Sequence, residues 1–378
     1  MKMRKNLMLL AGAVASVAAF GLTSSTVFAA GQTCSWTGSG SDDNWSTIAN
    51  WSGCGGAAPT NGDNLVFPGA SSRQTNNNDL SGRTFATISF TGTGSTGYTI
   101  AGNAFTLTGG ITDNSTGSSA NNRLNSDIAF SGNQTITGTH TTSGAPPIIF
   151  GSTLAPKTLT LSSDTVTITN LSAVNFNSAL SGSGNLVIDG SVAAGFNSAA
   201  SGFTGSTTFK NGAFASNSTD ASITALGTGP ITIGSGSTLS LVSSQTSISL
   251  PNAFTLSGNG VGNVGALSVA LGTCPGGVCA ASAEVKLTGS LTLTGNTSVS
   301  AAGSRFVVAG AYTPNGFTLT ALANTTLVLP STTAAPKAPN TGFAAVQSNP
   351  LVTLTVAAGS ALALVLVSLR LRKATARR

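Results

Sequence analysis

One pattern dominates residues 31–330: apolar side chains alternate with Thr, Ser or Asn in short runs. "KTLTLSSDTVTITNL" (157–171), "GPITIGSGSTLSL" (229–241) and "VKLTGSLTLTGNTSVS" (285–300) are three of them. A period of two places Val, Ile, Leu and Phe on one face of an extended strand and hydroxyls on the other. No stretch carries the helical period, and the helix former Glu occurs once, as Glu284. The chain is read as all-β.

Gly, Asn, Ser and Asp interrupt the runs at roughly ten-residue intervals, and larger units of about 20 to 25 residues can be traced. A sandwich would not repeat its strands this often without a linker. A stacked solenoid does so by construction, each coil burying its inner face against the next. Roughly a dozen coils rising about 4.8 Å each would make a rod of about 60 Å. Such a rod needs capped ends, because an open terminal coil exposes an unpaired edge.

Residues 30–68 read as the N-terminal cap and 69–330 as the repeats. The cap holds all three Trp residues, Trp36, Trp45 and Trp51, between Cys34 and Cys54. Aromatic area plus a disulfide stabilises a small region that lacks a full core; a sugar-binding aromatic platform is the sharper alternative. The four cysteines fall in two local groups, Cys34 with Cys54 and Cys274 with Cys279. Four cysteines allow three connectivities, and the two local pairs are the economical choice. Zinc would need four converging ligands, which the separation of the two groups and a single His140 do not offer.

The charges sit at the ends. Residues 30–350 hold 8 basic and 10 acidic side chains, whereas Lys2, Arg4 and Lys5 open the chain and Arg370, Arg372, Lys373, Arg377 and Arg378 close it. No basic patch exists to hold a phosphate backbone, so nucleic acid is excluded as a partner. Residues 1–29 read as a secretion signal: a basic start, an apolar core and small residues at Val27 and Ala29. Export makes the disulfides possible. Residues 351–369 form an apolar run which, as a helix, would span about 28 Å, enough for a bilayer. The basic tail 370–378 behind it places the C-terminus in the cytoplasm.

Between rod and membrane lies 331–350, a Pro/Ala/Thr spacer suited to holding a body off a surface. Its "APNTGF" stretch is similar to sortase sorting signals of the Leu-Pro-x-Thr-Gly type. Pro339, Asn340, Thr341 and Gly342 match that pattern; Ala338 stands where Leu is usual. The resemblance implies cleavage between Thr341 and Gly342 and transfer to a bacterial cell wall.

A second resemblance covers residues 180–241. "LSGSGNLVIDG", "SGFTGSTTFKNGAF" and "ALGTGPITIGSGSTLSL" resemble the autotransporter-associated β-strand repeat. Its carriers are Gly184 and Leu186; Phe203, Thr204, Gly205 and Thr207; then Leu226, Gly227, Gly229, Ile231, Ile233, Gly236 and Leu239. The resemblance implies a right-handed parallel β-helix used as an extended surface domain. The C-terminal outer-membrane barrel of autotransporters has no counterpart here, so only the passenger is shared.

Solenoids also host polysaccharide lyases and hydrolases. Hydrolysis of a glycoside needs two carboxylates about 5 to 10 Å apart. Asp164 and Asp189 are the best-placed pair, about one coil apart in sequence, with Lys210 a further coil on. Turn contexts, where Asp bonds its own backbone, explain both equally well. Asp42, Asp43 and Asp63 with Asn44 are a candidate calcium cluster in the cap, again explicable as turns. His140 lies in a polar stretch with no marked nucleophile beside it, and no Gly-rich segment continues into a phosphate loop.

The expectation is therefore a right-handed parallel β-helix with an N-terminal disulfide cap and a C-terminal transmembrane helix. Its function would be that of a non-catalytic surface adhesin, stalk or envelope component, without cofactor or resident metal. It would be held at the membrane or wall and would meet a glycan or a neighbouring cell surface. A β-helical polysaccharide lyase or hydrolase is the alternative.

Overall fold

The computed structural model describes residues 31–330 except 70, 94–96, 117–120, 141–146, 201, 218–223, 273–282 and 323. The alternating runs are strands, and they stack in parallel, coil over coil. The chain is an all-β parallel β-solenoid of about ten turns. That is fewer than the dozen coils expected, because some coils are much longer than the sequence punctuation implies. Residues hydrogen-bonded across successive coils are 20 apart at Asn185 and Thr165 and 23 apart at Thr87 and Asn64. At Thr288 and Leu250 the separation is 38, in the coil that carries segment 273–282.

A full coil lays one strand on each of three faces. Thr165–Thr169 lies on the first, Ala173–Phe176 on the second and Ala179–Gly182 on the third. The next coil's Asn185–Asp189 lies in register on the first of these, Thr165 facing Asn185 and Thr169 facing Asp189. The chain turns from the first face to the second at Asn170, Gly190 and Asn211 in three successive coils, with φ of 55°, 92° and 58°. This left-handed backbone is what Gly and Asn tolerate best, which is why those residues punctuate the sequence there.

The core is a set of columns running along the rod. On the first face Leu65, Ile88, Ile111, Ile136, Ile168 and Ile188 lie directly above one another. Each is no more than 1% exposed, and burying a side chain of this size stabilises by about 1.5 to 3 kcal/mol. On the second face Phe150, Phe176 and Phe196 stack, with centroids 5.6 and 4.9 Å apart and planes inclined by 17° and 6°.

The third face is interrupted. A five-stranded sheet ends at Ala179–Gly182, and a four-stranded sheet begins at Ser247–Leu250. Between them, among the described residues, the coils are joined by an isolated bridge, Gly182 with Phe203, and by single backbone hydrogen bonds such as Thr228 N–H to the Phe203 carbonyl at 3.0 Å. Gly205 of "SGFTGS" and Gly229 of "LGTGP" serve a different purpose at this corner. A Cβ on Gly205 would meet the Gly184 carbonyl oxygen at 1.7 Å, and one on Gly229 would meet the Gly205 oxygen at 1.8 Å. Successive coils therefore touch backbone to backbone here. Gly229→Ala is expected to lower stability by about 1 to 3 kcal/mol through overpacking; an unchanged denaturant midpoint would contradict that close approach.

The N-terminus is closed by the Trp- and Cys-containing segment. Thr33–Trp36 pairs in parallel with Asn64–Pro68 on one edge and antiparallel with Trp51–Ser52 on the other. The solenoid's first edge is thus covered by its own chain, the remedy an open ladder needs. Cys34 and Cys54 are disulfide-bonded across this fold-back. At the far end the last strands are short, Tyr312–Thr313, Leu319–Ala321 and Thr326–Val328, which limits the edge they present. Cys274 and Cys279, the leader 1–29, the Pro339–Asn340–Thr341–Gly342 motif and the apolar run 351–369 lie outside the described residues. Among the described residues, no helix is long and apolar enough to cross a membrane.

Candidate functional site

The outward positions of the first face form a periodic surface. One column runs from Thr135 and Thr167 through Thr208, Thr232 and Thr255 to Thr292 and Thr313, with Val187 filling one coil. Strand pairing repeats these side chains about every 4.8 Å along the rod. Each Thr presents a hydroxyl and a methyl and no charge, whereas Val187 presents methyls alone. Beside this column the two charges of the middle coils neutralise each other: Lys210 stands directly above Asp189, 3.0 Å between Nζ and Oδ2. The Asn211 amide and then the Lys210 ammonium hold the Asp189 carboxyl below the usual carboxylate range.

That pairing decides the question of Asp164 and Asp189. Asp164 precedes the strand Thr165–Thr169, whose far end, Thr169, faces Asp189. The two carboxylates thus lie at opposite ends of a strand about 16 Å long, too far apart for the glycosidase arrangement. The Asp164 carboxylate accepts the Gly132 N–H at 2.9 Å, a turn role.

The cap residues are also accounted for. Trp36 and Trp45 are fully buried and Trp51 is 7% exposed. They meet edge to face, Trp51 lying 5.1 Å from Trp36 and 5.6 Å from Trp45. All three indole N–H groups donate internally, to the Arg73 carbonyl, the Asn76 side chain and the Trp45 carbonyl. They form a core, and no sugar platform. Asp63 accepts the backbone N–H groups of Gln32 and Thr60, while Asp43 pairs with Arg73 at 2.9 Å. Asp42 accepts the Asn44 N–H, and hydrogen bonds led by the Thr47 side chain lower its carboxyl from the ordinary value. Among the described residues no three His, Cys, Asp or Glu side chains gather as a metal group would.

Two grooves mark the third face. One, of about 370 Å³, runs along the five-stranded sheet over Thr84, Thr106, Ala129 and Thr160, with Arg83 and Asp127 beside it. The other, of about 380 Å³, occupies the break between the two sheets and is lined by Phe203, Thr204, Thr228, Leu250 and Asn252.

A buried polar constellation lies inside the rod, beside the strands Ile111–Thr116 and Asn122–Asn125. Asp113, Ser115, Asn122 and His140 are 0, 6, 1 and 3% exposed. The Ser115 hydroxyl donates to Asp113 Oδ1 at 2.6 Å, and Asn122 Nδ2 donates to Asp113 Oδ2 at 3.0 Å. His140 Nδ1 lies 3.2 Å from Ser115 Oγ and 3.3 Å from Asp113 Oδ2. A Ser–His–acid relay places the hydroxyl on one ring nitrogen and the carboxylate on the other. Here both approach Nδ1 and the group is enclosed, so it does not present a nucleophile to an external acyl substrate.

Sequence reasoning passed over this cluster. The signal was present in "ITDNST": Ile111, Asp113 and Ser115 share the inward phase, and Asp113 occupies the register position of Phe90 one coil below. An acid in an apolar phase marks a buried charge that needs partners. Comparison with known protein families, curated proteins and solved structures returns no match.

Proposed function

We propose that this chain is an exported, surface-held β-helix that acts as a stalk or adhesin and meets neutral glycan through its outward hydroxyl columns. The single observation that carries the reading is the in-register Thr column on the first face, uncharged over its length. Hydroxyls and methyls at a fixed axial repeat suit an extended, uncharged polymer lying along the rod, since each coil offers the same contact and weak contacts add along its length. The leader 1–29, the spacer 331–350, the sorting-like Pro339–Gly342 and the apolar run 351–369 support export followed by retention at the membrane or wall. The right-handed sense implied by the resemblance is also the one that parallel crossovers favour.

The test is a glycan array probed with the secreted body. Binding to neutral polysaccharides, abolished by Thr208→Glu together with Thr232→Glu at unchanged circular dichroism, is expected. Silence across glycans and matrix proteins would sink the adhesin reading and leave an envelope component that recognises nothing.

A further inference from the structure

We propose that Ser115 and Asn122 become joined by an intramolecular ester, formed by the chain itself with loss of ammonia. The inference rests on the buried corner alone and is independent of any surface ligand. Four groups required for acyl transfer are in contact there. The Ser115 hydroxyl is the nucleophile; its Oγ accepts a hydrogen bond from Asn122 Nδ2, the leaving nitrogen, at 3.4 Å, so attack on the adjacent carbon requires the Asn122 amide to turn its face toward Oγ. Asp113 touches both ends of the exchange, accepting the hydroxyl hydrogen at Oδ1 and the amide hydrogen at Oδ2. The Asn122 carbonyl oxygen accepts the Tyr98 backbone N–H at 3.0 Å, so a fixed donor already faces the atom on which negative charge would develop. His140 Nδ1, within reach of Ser115 Oγ and Asp113 Oδ2, holds the hydroxyl and carboxylate in place.

The step balances without a co-reactant. The Ser115 Oγ–Cγ bond of Asn122 forms and the Cγ–Nδ2 bond breaks. The hydroxyl proton passes to the Asp113 carboxylate and from it to the departing nitrogen, which leaves as ammonia. Nothing is oxidised or reduced. Proximity is the main driving factor, since two groups fixed in contact react as if at very high concentration. Exclusion of water protects the ester from hydrolysis. The product ties the strand Ile111–Thr116 to Asn122–Asn125 across a corner of the coil and opposes local opening there.

Both residues fall in one tryptic peptide, 84–123, because cleavage sites occur at Arg83 and Arg123 with none between them. Mass spectrometry of that peptide from the purified full-length chain tests the proposal. The expected result is a mass lower than the sequence requires by one ammonia, with no backbone fragments between residues 115 and 122 because they close a ring. Asp113→Asn and Ser115→Ala are expected to restore the full mass. Folding of these variants does not decide the matter, since the wild-type peptide is read directly. An unshifted wild-type peptide would overturn the proposal. So would an ammonia loss with ordinary fragments between 115 and 122, which marks a succinimide at one of the peptide's asparagines, Asn103, Asn114, Asn121 or Asn122, instead.

Discussion

Trp45→Ala is expected to cost about 3 to 5 kcal/mol, the range for deleting a large buried aromatic, and to detach the cap before the rod unfolds. Trp45 is the hub of the cap: its ring meets Trp51 at 5.6 Å and Phe85 at 5.5 Å, and reaches Phe67 and Phe105 at 6.0 and 6.1 Å. Phe85 and Phe105 belong to the first coils, so the indole joins cap to repeats. Its loss also leaves the buried Asn76 carbonyl oxygen without the indole N–H it accepts at 2.8 Å. All three Trp residues lie in the cap, so Trp emission reports on that end alone, whereas far-ultraviolet circular dichroism reports on the whole solenoid. In the variant the emission transition should precede the dichroism transition in a denaturant titration. Coincident transitions would show that cap and rod unfold as one unit.

Phe176→Ala should reverse that order. Phe176 sits between Phe150 and Phe196 in the stack, so its removal weakens the interfaces with the coils on both sides. Deleting a buried Phe costs about 3 to 5 kcal/mol, and the two lost aromatic contacts, about 0.5 to 1.5 kcal/mol each, are part of that cost. A solenoid's stability is close to a sum of coil and nearest-neighbour terms, so damage in the middle is felt locally first. The dichroism midpoint should fall while Trp emission keeps its wild-type midpoint. A matching fall in emission would mean that cooperativity extends over the coils separating Phe176 from Trp45.

Much of the body was legible because a strand's period is short and strict. The alternation in 157–171 placed Leu159, Leu161, Val166 and Ile168 inside and the intervening Thr residues outside, as found. The cap was legible from composition, since three Trp residues between two cysteines leave few ways to avoid a shared core. What lies above what was less legible. Asp164 and Asp189 are one coil apart in sequence, yet the register sets Asp189 over Thr169 and under Lys210. One coil of separation fixes a pairing only when the coil length is known to the residue, and here it varies.

The corner of Asp113, Ser115, Asn122 and His140 illustrates the same limit in reverse. Asp113 and His140 are 27 residues apart, a spacing that means nothing until the chain has turned through a coil of that length. The sequence by itself determined the strand phase, the turn positions at Asn and Gly, the solenoid class and the capped start, because each follows from local geometry of a few residues. Only the tertiary structure decided the register between coils, the break in the third face and the company of each buried polar group. These depend on how loops of unequal length add up around each turn, and that sum is fixed by packing over the whole coil.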